Sequence, residues 1–228
     1  MYIPNTNISI YNNLFGKSDI LSKSEIETIK NNSNIVFYNK KNIVFKQDTP
    51  TSHIMYVKSG LIKIIKESIH KNLLYNIITP GNFLGITSTF GDTYFQHTAT
   101  TLEDSEIMFI DINTFTEIME NNGQYSLCIM KYVCADSIDN INNLITKSQK
   151  HLPGRLADII LYFSEKIYNS QDFDFPLTRN ELAEFANTSK ESIIRTLTEF
   201  KNDKIIELNN RKISINSLAI IKTLSRLG

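Results

Sequence analysis

The sequence predicts an α+β chain in three sections: an N-terminal β-roll, a long dimerisation helix and a C-terminal winged helix-turn-helix. Three observations carry this prediction. Between residues 35 and 110, short β-prone runs alternate with turn residues. Between Leu127 and Ile145, apolar residues recur at helical spacing. Between residues 176 and 215, two capping boxes are followed by two short β-prone runs. The 228 residues suit one large domain or two ordinary ones. The expected division is 1–121 for the roll, 122–151 for the dimerisation helix and a hinge, and 152–228 for the winged helix.

The lead-in comes first. Ser22-Lys-Ser-Glu25 is a capping box and predicts a short helix before the roll. The strands of the roll are then expected at Ile35–Tyr38, Ile43–Phe45, His53–Val57, Leu61–Ile65, Leu73–Ile78 and Glu106–Ile110. Asn39–Asn42, Asp48–Ser52, Ser59-Gly60, Pro80–Asn82 and Gly91-Asp92 separate them, and many short strands at regular spacing suggest a small barrel or roll. Asp111 reads as the N-cap of a helix to about Asn121, and Gly123 breaks that pattern.

The long helix follows. Leu127, Met130, Cys134, Ile138, Ile141 and Ile145 step by 3, 4, 4, 3 and 4, a mean close to the 3.5-residue repeat of a coiled-coil seam. Lys131, Asp136, Asp139, Asn142, Asn143 and Lys147 occupy the other positions. The six seam residues are the expected dimer interface. His151-Leu-Pro153-Gly154 then interrupts the helix and marks the boundary and hinge, because proline lacks a helical donor and glycine loosens the backbone. A further helix presents Leu156, Ile159, Ile160, Phe163 and Ile167 on one face.

The last section is the most informative. Thr178-Arg-Asn-Glu181 is a capping box opening a helix to about Phe185, with Leu182 and Phe185 inward. Ala186-Asn187-Thr188 makes the turn, with Asn187 suited to the left-handed conformation. Thr188-Ser-Lys-Glu191 reads as a second capping box, opening a helix to about Asn202. Its inward face is Ile193, Leu197 and Phe200, and its outward face is Lys190, Glu191, Ile194, Arg195 and Thr198. Two short helices joined in this way form a helix-turn-helix, whose second helix can enter the major groove of DNA. Ile205–Leu208 and Arg211–Ile215, around Asn209-Asn210, predict a two-stranded wing.

The chemistry of the outward face fits base recognition. Arginine matches the O6 and N7 acceptors of guanine with two parallel donors, and glutamate accepts from the N4 amine of cytosine. Glu191 and Arg195 lie one helical turn apart, so together they can address neighbouring bases. Thr178, Arg179, Asn180, Ser189 and Ser192 at the helix starts, with Arg211 in the wing, complete the candidate DNA-binding set by holding phosphates.

Composition excludes more than it assigns. With 41% hydrophobic and 21% charged residues the chain is in the globular class, and its longest apolar runs are far too short to cross a bilayer. The opening Met1-Tyr-Ile-Pro-Asn lacks a basic region and an apolar core, which predicts a cytoplasmic chain. Net charge is zero, and residues 151–228 carry 11 Lys+Arg against 10 Asp+Glu, so composition leaves no electrostatic footprint of a nucleic-acid binder. Cys128 and Cys134, six residues apart, suit neither a zinc knuckle nor a disulfide framework, and no metal site is expected. Nucleophile elbow, Gly-rich phosphate loop, His-Glu-x-x-His and paired-carboxylate motifs are missing, which argues against an enzyme. The rival reading is a regulatory module whose C-terminal bundle binds protein, and salt-dependent DNA binding separates the two.

At this point the sequence resembles the Crp/Fnr family of bacterial transcription regulators over almost its whole length. The resemblance is carried by Leu177-Thr-Arg-Asn-Glu-Leu-Ala183, by Thr188-Ser-Lys-Glu-Ser-Ile-Ile-Arg195, and by Leu197 and Phe200. In the roll it rests on Val57-Lys-Ser-Gly-Leu-Ile-Lys63 and Pro80-Gly-Asn-Phe-Leu-Gly85. It implies a roll like a cyclic-nucleotide-binding domain, and a homodimer on a near-palindromic operator that recruits or blocks RNA polymerase. It also implies that Lys190, Glu191 and Arg195 contact bases.

The expected effector pocket is Gly85, Ile86, His97 and Thr98, and it departs from the family pattern. Cyclic-AMP-binding members place a glutamate after the matching glycine and an Arg-Ser pair on the phosphate. Here Ile86 and His97-Thr98 stand nearest those positions, so cyclic AMP is not the expected ligand. The cysteine cluster of iron–sulfur members is absent, while the resemblance leaves haem open, with His53, His70, His97 and His151 as the histidines able to ligate iron.

Overall fold

The computed structural model describes residues 20–69 and 71–228, so His70 lies outside the described residues. Two compact units are present, one through Ile138 and one from Asp139 to Gly228, and the division falls within a single long helix.

The first unit contains α1 (Lys23–Asn31), β1 (Ser33–Tyr38), β2 (Ile43–Phe45), β3 (His53–Ser59), β4 (Ile62–Lys66), β5 (Leu73–Ile78), β6 (Phe83–Leu84), α2 (Ile86–Gly91), β7 (Thr98–Thr101), β8 (Ser105–Asp111), α3 (Ile112–Asn121) and the start of α4 (Gly123–Gln149). Its eight strands form two antiparallel four-stranded sheets, ordered β1-β8-β3-β6 and β2-β7-β4-β5. This is the roll. Ser22 caps α1 in a reciprocal box with Glu25, and Asp111 caps α3 through the Thr114 amide, as the sequence predicts.

Three elements of the roll do not show in the sequence pattern. β6 is two residues long, and α2 is a single short helix. β7 is Thr-Ala-Thr-Thr, which has no large apolar side chain to alternate with the polar ones. Thr98 and Thr101 are buried, and Thr101 serves backbone: its Oγ1 donates to the Asn39 carbonyl and accepts from the Asn42 amide.

Helix α4 uses two faces. Tyr125, Ile129 and Tyr132 are buried against the roll with Phe83, Phe115 and Ile118. The Tyr132 hydroxyl also accepts the Phe83 N–H at 3.0 Å, which joins the helix to β6. The sequence reading took the side opposite the seam as polar, and this second apolar stripe corrects it. The helix needs both stripes, one for its own core and one left over.

The second unit holds the end of α4, α5 (Leu152–Leu161), a π turn at Tyr162–Ile167, β9 (Asp172–Asp174), α6 (Arg179–Phe185), α7 (Lys190–Asn202), β10 (Ile206–Asn209), β11 (Lys212–Ile215) and α8 (Leu218–Leu227). Phe163, on the π turn, packs with Phe173 and Phe175 at the centre of this unit. β9 adds a third strand to the wing, in the order β10-β11-β9. Neither β9 nor α8 is among the predicted elements.

The junction after α4 differs from the loose hinge the sequence suggests. Pro153 sits in the first turn of α5, where its missing N–H is no loss. Gly154 is helical, and a Cβ there would come within 2.7 Å of the Gly228 Cα, so the residue serves close approach to the end of α8. Across the junction, Lys150 Nζ donates to both oxygens of Asp158 at 2.7 and 2.9 Å and also to the Ser225 carbonyl. Ser225 Oγ donates to the same carboxylate at 2.5 Å. The Lys147 ammonium lies 4.4 Å above the Phe185 ring, and Arg155 donates to the Lys147 carbonyl at 3.0 Å. The proline ends one helix, yet side chains clasp the two helices together.

Candidate nucleic-acid interface

Helix α6 opens on Thr178, whose hydroxyl accepts from the Glu181 amide while the Glu181 carboxylate accepts the Thr178 amide at 2.7 Å. It closes on Asn187, which takes φ +50°. The Thr188 amide then donates back to the Ala183 carbonyl at 2.9 Å and the Asn187 amide to Glu184 at 3.1 Å, a Schellman closure. That closure corrects the second capping box. Thr188 is consumed in ending α6, so the N-cap of α7 is Ser189, accepting from the Ser192 amide at 3.2 Å. The connection is therefore four residues, Ala186 to Ser189.

This start fixes the rotation of α7. Ile193, Thr196, Leu197 and Phe200 are buried, and Lys190, Glu191, Ile194, Arg195 and Thr198 face outward, as the sequence predicts. Rotating the helix to hide the charged face would expose three large apolar residues. At about 1.5–3 kcal/mol each, that is prohibitive. Arg195 is extended into solvent, its Nε 4.0 Å from the Glu199 carboxylate, a separation at which exposed pairs contribute little.

The remaining candidates fall into two groups. Ser189 and Ser192 hydrogen-bond to one another at 3.0 Å at the start of α7. Arg179 Nη2 donates to the Asn210 carbonyl in the wing turn at 2.7 Å. Burial, and then the neighbouring Arg211, hold the Arg179 guanidinium below its ordinary pKa, so these two cations share one edge of the site. Asn180 is exposed beside them. The wing turn itself is Asn210-Arg211, with Asn210 at φ +54° and Asn209 paired to Lys212, one residue later than the sequence suggests.

In the roll, Gly85 and His97 both lie against the Phe45–Phe95 pair, with the His97 ring 6.2 Å from that of Phe45, while Ile86 turns away from it. Ile86 is buried in the core beneath α4, with Leu21, Phe83 and Tyr125. Gly85 (φ +74°) faces Phe95, which stacks on Phe45 at 3.7 Å between ring centroids. His97 Nδ1 lies 3.0 Å from the Tyr75 hydroxyl, and Thr98 Oγ1 donates to Glu67 at 2.5 Å and accepts from the Gln47 amide. His53 pairs with Ser52, and His151 is the N-cap of α5. Among the described residues no group of three or more His, Cys, Asp and Glu is placed to hold a metal ion.

Burial, reinforced by Lys66, pushes the His97 pKa down to about 4. The unfolded chain therefore takes up a proton near pH 6.5 that the folded roll refuses until about pH 4. Stability from this group is complete above pH 6.5 and falls as the pH drops through that window. The urea midpoint of the roll should decrease between pH 7 and pH 4.5, and His97→Asn should flatten the decrease. An unchanged slope in the variant excludes His97 as its source.

The likeness to known proteins follows the same two units. Residues 35–122 match the model of the cyclic nucleotide-binding domain, and residues 154–224 match that of the Crp-like helix-turn-helix domain. The transcriptional activator protein anr of Pseudomonas aeruginosa is 20% identical over 181 residues, covering 77% of this chain and 74% of that protein. The anaerobic regulatory protein of Bacillus subtilis is 24% identical over 202 residues, 84% and 83% of the two chains. A transcriptional regulator of the Crp/Fnr family from Eubacterium rectale shares the fold at a TM-score of 0.79 and 18% identity, over 94% of this chain and 99% of that one. Fold and site thus define a DNA-binding transcription regulator with a sensor domain of the cyclic-nucleotide-binding type. The chain belongs to the Crp/Fnr family. No described helix is long and apolar enough to cross a membrane.

Proposed function

We propose that the protein is a cytoplasmic, homodimeric regulator that reads a near-palindromic operator with α7 and recruits or blocks RNA polymerase. The observation that carries this reading is the locked rotation of α7, which leaves Lys190, Glu191 and Arg195 outward at its N-terminal half. The seam supports the dimer. Leu127, Met130, Ile138, Ile141 and Ile145 are 46–64% exposed, and Cys134 is exposed beside them. Leu144, outside the 3- and 4-residue steps of the seam, is 56% exposed beside Ile145. In this reading residues up to 121 sense, 122–151 join the protomers, and 152–228 bind DNA. Thr178, Arg179, Asn180, Ser189, Ser192 and Arg211 hold phosphates around the base-reading trio.

Selection from random duplexes tests it. The expected product is an inverted repeat with half-site centres about 34 Å apart, bound with a steep salt dependence. Failure to enrich any sequence would overturn the reading.

The roll, in the same reading, answers to something other than cyclic AMP. A buried ribose hydroxyl and phosphate need an acceptor and a fixed cation. Ile86 is turned into the core, and His97 is neutral at pH 7. Calorimetry should show no saturable cyclic AMP binding at low micromolar concentration, and binding in that range with tighter operator affinity would reverse the conclusion.

A further inference from the structure

We infer that Ile194 reads the C5 methyl group of a thymine in each half-site, between the bases addressed by Glu191 and Arg195. The inference rests on the major-groove role of α7 given above. Ile194 is the one wholly apolar side chain among the outward residues of that helix, and 44% of it is exposed. Its neighbours cannot shelter it. Ile193 and Leu197 point into the core, while Lys190, Glu191 and Arg195 extend into solvent.

Spacing places Ile194 within the reading set. It follows Glu191 by three residues, and Arg195 follows Glu191 by four, so both flank Glu191 one turn on along the helix surface. Thr198, one turn further on, donates its hydroxyl to the Ile194 carbonyl at 2.8 Å. Its methyl is the group left without a hydrogen-bond partner, and it extends the apolar character along the same side.

The major groove offers such a stripe one apolar partner. Every base edge there presents hydrogen-bonding groups, and thymine alone adds to its O4 acceptor a C5 methyl that projects into the groove. A branched aliphatic side chain against that methyl removes both from water. An acceptor, an aliphatic group and a bidentate donor in sequence therefore favour a half-site in which a thymine accompanies the cytosine and guanine contacts.

Uracil replacement isolates the methyl, since it leaves base pairing and every groove donor and acceptor in place. Each thymine of the selected operator is changed to uracil in turn, and binding to the full-length protein is measured. One position per half-site should weaken binding roughly fourfold when changed, the loss expected for one methyl withheld from burial. In Ile194→Ala, a surface change that spares the core, thymine and uracil at that position should bind equally. If no thymine is sensitive, or if the alanine variant keeps the full discrimination, the assignment falls. Base preference that still depends on Arg195 would then leave the readout helix standing. Loss of that dependence as well would overturn both readings.

Discussion

Lysine in place of Ile138 is expected to turn the proposed dimer into a monomer. Ile138 is 58% exposed at the middle of the outward stripe of α4, where the described residues of its own chain do not cover it. In a paired seam the same residue meets its counterpart from the second protomer, and a like-charged pair there cannot be desolvated. The variant should keep its helical signal, because the roll-facing Tyr125, Ile129 and Tyr132 are untouched. Sedimentation should give half the wild-type mass at micromolar concentration. Operator affinity should fall roughly 10²–10⁴-fold, the loss that follows when two half-sites no longer bind as one event. A wild-type protein that already sediments as a monomer would remove the basis of the proposal.

Arg195→Ala is expected to weaken operator binding by about 1–3 kcal/mol and to relax base preference at one position per half-site. Among the described residues the one ion-pair partner of Arg195 is the distant Glu199 carboxylate, so its removal costs little stability that would confuse the measurement. Arg179→Ala is the matched control. That side chain is tied to the wing through Asn210, so its loss should weaken all sequences about equally and shallow the salt slope. Competition binding over a panel of single-base operator variants separates the two. Uniform loss in both, with no change of preference, would mean that the roles are assigned wrongly.

Much of this was legible because the chain states it locally. The boxes at Ser22 and Thr178 and the N-cap at Asp111 need only their own residues, and each forms as read. The faces of α7 follow from period alone. The second box failed for a tertiary reason expressed in one residue: Asn187 in the left-handed region recruits the Thr188 amide into the end of α6, which moves the cap to Ser189. β7 is not legible because its buried Thr98 and Thr101 spend their hydroxyls on hydrogen bonds to residues distant in the chain, which no alternation of apolar and polar can reveal. Tyr125, Ile129 and Tyr132 were overlooked because a single period was sought in α4, where two interleaved stripes serve two surfaces. The effector candidates show what adjacency in the chain leaves open. Adjacent residues such as Gly85 and Ile86 need not share a site, and here the helix start at Ile86 carries its side chain into a different core.

The clasp around Lys150 changes what counts as a self-sufficient piece of this protein. A fragment cut at Pro153 would look complete by its helices and strands. It would lack Lys150, and of the Asp158 side-chain partners among the described residues the Ser225 hydroxyl would be left. It would also lose Lys147, and with it the cation above the Phe185 ring of α6. The last three turns of the connecting helix are thus part of the DNA reader's own foundation. A graft onto another sensor would have to carry them along, with the splice placed upstream near Asp139.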